Sequence, residues 1–91
     1  MQKIRVHIYV AGKVQGVFFR QNVKRRAQSC SVCGWVRNLS DGRVEAVFEG
    51  MDMSVNEVVD YCRHGPSFAK VEYVEVFFEA YLGEFLDFQI V

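Results

Sequence analysis

The chain has 91 residues and no formal net charge, with 51% hydrophobic and 24% charged residues. Such a composition excludes a disordered chain, and no apolar run approaches the roughly 18 residues of a membrane-spanning helix. The length fits one domain over residues 1–91 with one modest core and one site, and the N-terminus lacks the pattern of a secretion signal, so a cytoplasmic location is expected.

Residues 4–10 alternate strictly, with Ile4, Val6, Ile8 and Val10 on one face, and predict a half-buried strand. His7 falls on the other face with Arg5 and Tyr9, an exposed sheet position and a weak candidate for catalysis. Two glycines in Gly12-Lys13-Val14-Gln15-Gly16 break the strand. Phe19, Val23, Ala27 and Cys30 then recur at helical spacing opposite Lys24, Arg25, Arg26 and Gln28, which predicts a helix over residues 19–30. Residues 34–38 and 43–49 read as two strands joined by a hairpin at Asp41-Gly42. A second helix follows. Ser54 and Glu57 have capping-box spacing, Val55, Val58, Val59 and Cys62 form its apolar stripe, and Gly65-Pro66 stops it. Residues 69–79 read as a long fourth strand and residues 85–91 as a short fifth. The order β-α-β-β-α-β with a C-terminal addition describes an α+β fold, a ferredoxin-like split βαβ sandwich. Its sheet is antiparallel-dominated, both helices lie on one face, and the first strand neighbours the third, with the second beside the third. That fold hosts many activities and names none.

Charge is unevenly placed along the chain. Residues 1–43 hold nine Lys/Arg and one acid, whereas residues 44–91 hold two Lys/Arg and ten acids. Either the first half presents a basic site, or the halves interleave in space and their fields cancel. The overall balance speaks against a nucleic-acid partner. The aromatic-rich strand motif of RNA-binding modules is also missing, and Phe48 faces the helices by alternation. Cys30, Cys33 and Cys62 are an odd number and read as free thiols in a reducing compartment. With His64 they offer nominal zinc spacing, but a helix end, a strand start and a core helix position account for them, so no metal site is expected.

The most informative stretch is Gly12-Lys13-Val14-Gln15-Gly16-Val17-Phe18-Phe19-Arg20, which links a strand end to a helix start. Its glycines permit backbone angles that turn successive N–H groups into one concavity, and the helix N-terminus adds its own. Arg20 contributes a planar fork of donors suited to phosphate. Two readings stand at this point: an anion cradle, or an ordinary glycine turn with a surface arginine. Asn38, at the end of Gly34-Trp35-Val36-Arg37-Asn38, also has two: an amide that positions a water, or an Asx turn that starts the hairpin.

A resemblance bears on both choices. Val10-Ala11-Gly12-Lys13-Val14-Gln15-Gly16-Val17-Phe18-Phe19-Arg20 resembles the first signature of the acylphosphatase family. Gly34-Trp35-Val36-Arg37-Asn38, then Gly42, Val44 and Gly50, resembles the second at the family's spacing. Gly65-Pro66 and the ending from Gly83-Glu84-Phe85 to Phe88 fit as well, so the likeness spans nearly the whole chain. It implies a hydrolase that cleaves the carboxyl–phosphate bond of small acyl phosphates to carboxylate and inorganic phosphate. The attack is by an oriented water, with no metal, cofactor or covalent intermediate. It further implies that Arg20 binds the phosphoryl group, that Asn38 orients the water, and that Gln15, Gly16, Val17, Phe18 and Phe19 form the backbone cradle. Size and the lack of a surplus apolar stripe favour a monomer, with no nucleic-acid or membrane partner. The alternative is a related domain tuned to carbamoyl phosphate, of the kind fused into larger maturation proteins. Two departures from the family pattern are notable. Lys13 stands where arginine is common, and Ser31 stands where many members end the first helix with glycine. A left-handed backbone at Ser31 would cost up to about 1 kcal/mol.

Overall fold

The computed structural model describes residues 2–91. The elements are β1 (Lys3–Lys13), α1 (Phe19–Ser29), β2 (Cys33–Asn38), β3 (Val44–Met51), α2 (Asp52–His64), β4 (Lys70–Glu79) and β5 (Phe88–Ile90). The sheet has five strands in the order β4-β1-β3-β2-β5. β1 pairs antiparallel with β3 and β4, β2 pairs antiparallel with β3, and β5 alone is parallel to its neighbour β2. This is the split βαβ sandwich expected from the periodicity, with a mixed sheet.

Alternation along β1 puts Val6, Ile8 and Val10 wholly inside, under Phe19, Val23 and Ala27 of α1 and Val55, Val58, Val59 and Cys62 of α2. Phe48 stacks on Phe88 in the same layer, with ring centroids 5.6 Å apart. The expected stripes are therefore the faces that bury. Helix α1 ends in a Schellman motif: Val32 N–H donates to the Ala27 carbonyl at 2.8 Å and Ser31 N–H to the Gln28 carbonyl at 3.2 Å. Ser31 sits there at φ 58°, the left-handed angle that glycine adopts more easily. At Gly34 a Cβ would run into the Val47 carbonyl of the adjacent strand, so the β2–β3 pairing requires glycine there.

Two expectations are corrected. The capping box at Ser54 and Glu57 does not form, because α2 begins earlier, at Asp52. β3 continues to Met51 and passes directly into the helix; Asp52 N–H donates to the Gln2 carbonyl, and the Asp52 carboxylate accepts the Met53 N–H at 2.7 Å. Ser54 thus lies inside the first turn. The fifth strand is also shorter than residues 85–91, because residues 80–87 are used to cross the open face of the sheet. Glu49, only 3% exposed, holds that crossing segment. Its carboxylate accepts the N–H groups of Leu82 (2.8 Å), Gly83 (3.3 Å) and Glu84 (3.2 Å) and a bond from Arg5 at 3.2 Å. Phe77, Phe78 and Tyr81 are exposed. Among the described residues no helix is long and apolar enough to cross a membrane.

Candidate active site

The strand register brings two loops to one end of the sheet. Val10 of β1 and Asn38 of β2 both pair with Val44, at the start of β3. The loop leaving β1 and the hairpin leaving β2 therefore flank the same point. A bulge between Ala11 and Gly12 redirects the end of β1, with Gly12 at φ 126° and no room for a Cβ against the Lys70 carbonyl. Beyond it, Gly16 (φ 73°) and Phe18 (φ 62°) are left-handed on either side of Val17. Alternation of this kind curls successive N–H groups toward one side. Helix α1 follows with no side-chain cap and no acidic residue in its first turn. Its first N–H groups and the positive end of its dipole are left for an anion.

A cavity of about 170 Å³ opens at this point. Gly16, Phe18, Phe19, Arg20 and Asn38 line it, joined by Val14 and Gln21, which the sequence patterns did not single out. Gln15 and Val17 are not part of the lining. Val17 is buried, and the Gln15 side chain turns to the hairpin, where its amide donates to the carbonyls of Leu39 (2.8 Å) and Arg43 (3.0 Å). Gln15 thereby ties the loop before α1 to the hairpin after Asn38. Its side chain gave no separate signal in the sequence, because a polar residue beside a glycine reads as loop.

Among the polar residues of the lining, Arg20 and Asn38 are left uncommitted by the rest of the fold. Arg5, Arg37, Arg43 and Arg63 all pair with carboxylates, whereas half-buried Arg20 has none within ion-pair distance among the described residues. The buried Oδ1 of Asn38 has no hydrogen-bond partner among the described residues. A buried carbonyl oxygen without a donor is costly and rare. The turn chemistry is done by Asp41 instead, whose carboxylate accepts the Arg43 N–H at 3.0 Å and its Nε at 2.9 Å. That leaves the Asn38 amide free of the hairpin. Among the described residues no carboxylate or imidazole lines the cavity.

The remaining charges interleave. Arg5 bonds Glu49, Glu79 and Glu84, Arg37 bonds Glu45, and His7 lies between Glu45 (2.7 Å) and Glu79 (3.0 Å) on the open face. Burial opposes ionisation of Glu49, but the three N–H groups and Arg5 outweigh it and lower its pKa. Glu45 is also lowered, its burial outweighed by bonds from His7, Arg37 and Tyr9. The basic excess of the first half is thus cancelled over the sheet, while Arg20, Lys24, Arg25 and Arg26 of α1 form no ion pair among the described residues. The cysteines are dispersed. Cys30 Sγ lies 3.2 Å from Glu57, and burial pushes the Cys62 thiol up to about 12. Among the described residues no cluster of His, Cys, Asp and Glu has metal-site geometry.

Comparison with known proteins bears on the family and the fold. The family described as Acylphosphatase matches residues 6–90. An acylphosphatase of Syntrophus aciditrophicus is 59% identical over 86 residues, covering 94% of this chain and 90% of that protein. Among solved structures, an acylphosphatase from Bacillus subtilis superposes with a TM-score of 0.93 at 36% identity, covering 97% of this chain and 98% of that one. Full-length HypF in a phosphate- and nucleotide-bound form matches at a TM-score of 0.86 and 26% identity, with 99% of this chain on 12% of that larger protein.

Proposed function

The chain belongs to the acylphosphatase family, and from that premise we propose how its own residues perform the hydrolysis. The reaction converts an acyl phosphate and water to a carboxylate and inorganic phosphate. The observation that carries the assignment of roles is the pairing of an unpaired Arg20 with an orphaned Asn38 Oδ1 in one cavity.

Arg20 grips the phosphoryl oxygens through its planar fork. The N–H groups around residues 16–20 hold the remaining charge, helped by the positive end of α1. Asn38 Oδ1 accepts a hydrogen bond from the attacking water and sets it in line with the bond to be broken. The water oxygen bonds to phosphorus, the bond from phosphorus to the acyl oxygen breaks, and the carboxylate departs with its electron pair. Its conjugate acid has a pKa of about 4–5, so it leaves without being protonated. Among the described residues the lining holds no carboxylate or imidazole base, and the water's proton passes to a phosphoryl oxygen. Since the leaving group needs no acid and Arg20 with the amides meets the phosphoryl charge, the chemistry proceeds without a metal or cofactor. Gln15 is a positioning residue: it holds the cradle and the Asn38 hairpin in register. All these groups come from one chain, which works as a single domain over residues 1–91 and as a monomer. Its unpaired Cys30 and Cys33 suit the reducing cytoplasm.

Replacement of Asn38 by alanine tests the division of labour. Turnover of acetyl phosphate is expected to fall by about 10²–10³, while the inhibition constant of inorganic phosphate changes little. Loss of phosphate binding in parallel with turnover would make Asn38 a binding or structural residue.

A further inference from the structure

The left-handed backbone of Phe18 belongs to the phosphate cradle, but phosphate binding does not explain its ring. It stands at φ 62° and ψ 24°, left-handed angles that a bulky side chain rarely takes. The strain is held in place by its own carbonyl, which accepts both the backbone N–H of Asn22 at 3.2 Å and the Asn22 side-chain amide at 2.8 Å. Glycine would serve the turn better, as it does at Gly16. Core packing does not account for the ring either. Phe19 next to it is buried to 1% exposure, whereas Phe18 is 67% exposed while still lining the cavity. An aromatic ring is thus kept in solvent, on a strained backbone, at the opening of the pocket that takes the phosphoryl group. The cradle uses the backbone angle, and the exposed ring is what it leaves without a role.

The rest of the lining narrows what the ring can be for. Among the described residues Arg20 is the only charged one in it, and it is committed to the phosphoryl oxygens. No second cation among the described residues lines the cavity to receive a negatively charged acyl tail. Resting on the mechanism above, we infer that the Phe18 ring is the platform for the acyl group, and that the preferred substrates are acyl phosphates with an uncharged aromatic acyl group. The phosphoryl end fixes the ligand in the cavity, and its acyl end projects to the mouth, where the exposed ring meets it by offset or edge-to-face contact.

The test compares benzoyl phosphate with acetyl phosphate in the native protein, Phe18→Ala and Phe18→Tyr. The quantity read is the ratio of the two kcat/KM values, which is insensitive to losses common to both substrates. A single aromatic contact shifts such a ratio by about two- to twelvefold. The native protein is expected to favour benzoyl phosphate, Phe18→Ala to lose about fivefold of that preference, and Phe18→Tyr to keep it. An unchanged ratio in Phe18→Ala, with both substrates turned over, overturns the platform and leaves the hydrolytic mechanism standing. Failure of the native protein on both substrates overturns the mechanism and the platform together. If Phe18→Ala is folded but inactive, calorimetric dissociation constants for benzoylphosphonate and acetylphosphonate supply the same ratio, and an unchanged value there is equally fatal.

Discussion

Glu49→Gln is the substitution that most directly probes how the open face of the sheet is held together. The native carboxylate is buried and accepts three N–H groups of the crossing segment as well as Arg5. Glutamine keeps one acceptor oxygen and presents an NH2 group where the other oxygen received N–H donors. The charge that strengthened every bond is also gone. Removing one side of a buried charged network costs about 3–5 kcal/mol. Arg5 keeps Glu79 and Glu84 as partners, so the lower end, about 3 kcal/mol, is expected. For a domain of this size that is a fall of about 12–24 °C in Tm. The assay is thermal unfolding followed by circular dichroism at pH 7 and at intervals down to pH 3. The pKa of Glu49 is lowered in the folded state, so its stabilisation is complete above the unfolded carboxylate value of about 4.3. It is lost as pH falls from there through the folded value. The gap between native and variant is therefore expected to narrow as the solution becomes acid. A variant within 1 kcal/mol of the native protein at pH 7, or a gap that persists unchanged at pH 3, would refute the reasoning.

Ser31→Gly is expected to stabilise the protein by about 0.5–1 kcal/mol. Relief of the left-handed serine at φ 58° exceeds the added freedom of the unfolded glycine; a loss of stability in urea unfolding would contradict the Schellman geometry at the end of α1. Gln15→Ala is expected to lower kcat about tenfold through a misplaced hairpin, in line with the sensitivity of catalysis to small displacements. The inhibition constant of phosphate should stay within about twofold, since the backbone cradle remains, and equal losses in both would indicate general disruption.

The layered architecture was legible because it depends on local periodicity. Alternation along β1 and the Val55, Val58, Val59 and Cys62 stripe each identify the face that buries. Arg20 and Asn38 were singled out by the resemblance to the family's two signatures, and the strand register brings those two segments together: Asn38 and Val10 of β1 both pair with Val44. What local pattern did not reveal depends on distant chain. Glu49 on an alternating strand reads as a solvated charge until residues 82–84 are known to lie across it. The start of α2 at Asp52 depends on a hydrogen bond to Gln2, fifty residues earlier. The twin bonds of the Gln15 side chain join loops whose proximity is set by the sheet order. The left-handed angle of Phe18 carried no sequence signal, because no glycine stands there.

The central claim is that Arg20 grips the phosphoryl group in a reaction that uses no metal. Its most direct measurement is phosphate release from benzoyl phosphate in the presence of EDTA, comparing the native protein with Arg20→Ala and Arg20→Lys. The account predicts undiminished native turnover in EDTA, a loss of about a thousandfold in Arg20→Ala, and most of that loss in Arg20→Lys, because an ammonium lacks the planar fork. Near-native turnover by either variant, or a native activity abolished by EDTA, would contradict it.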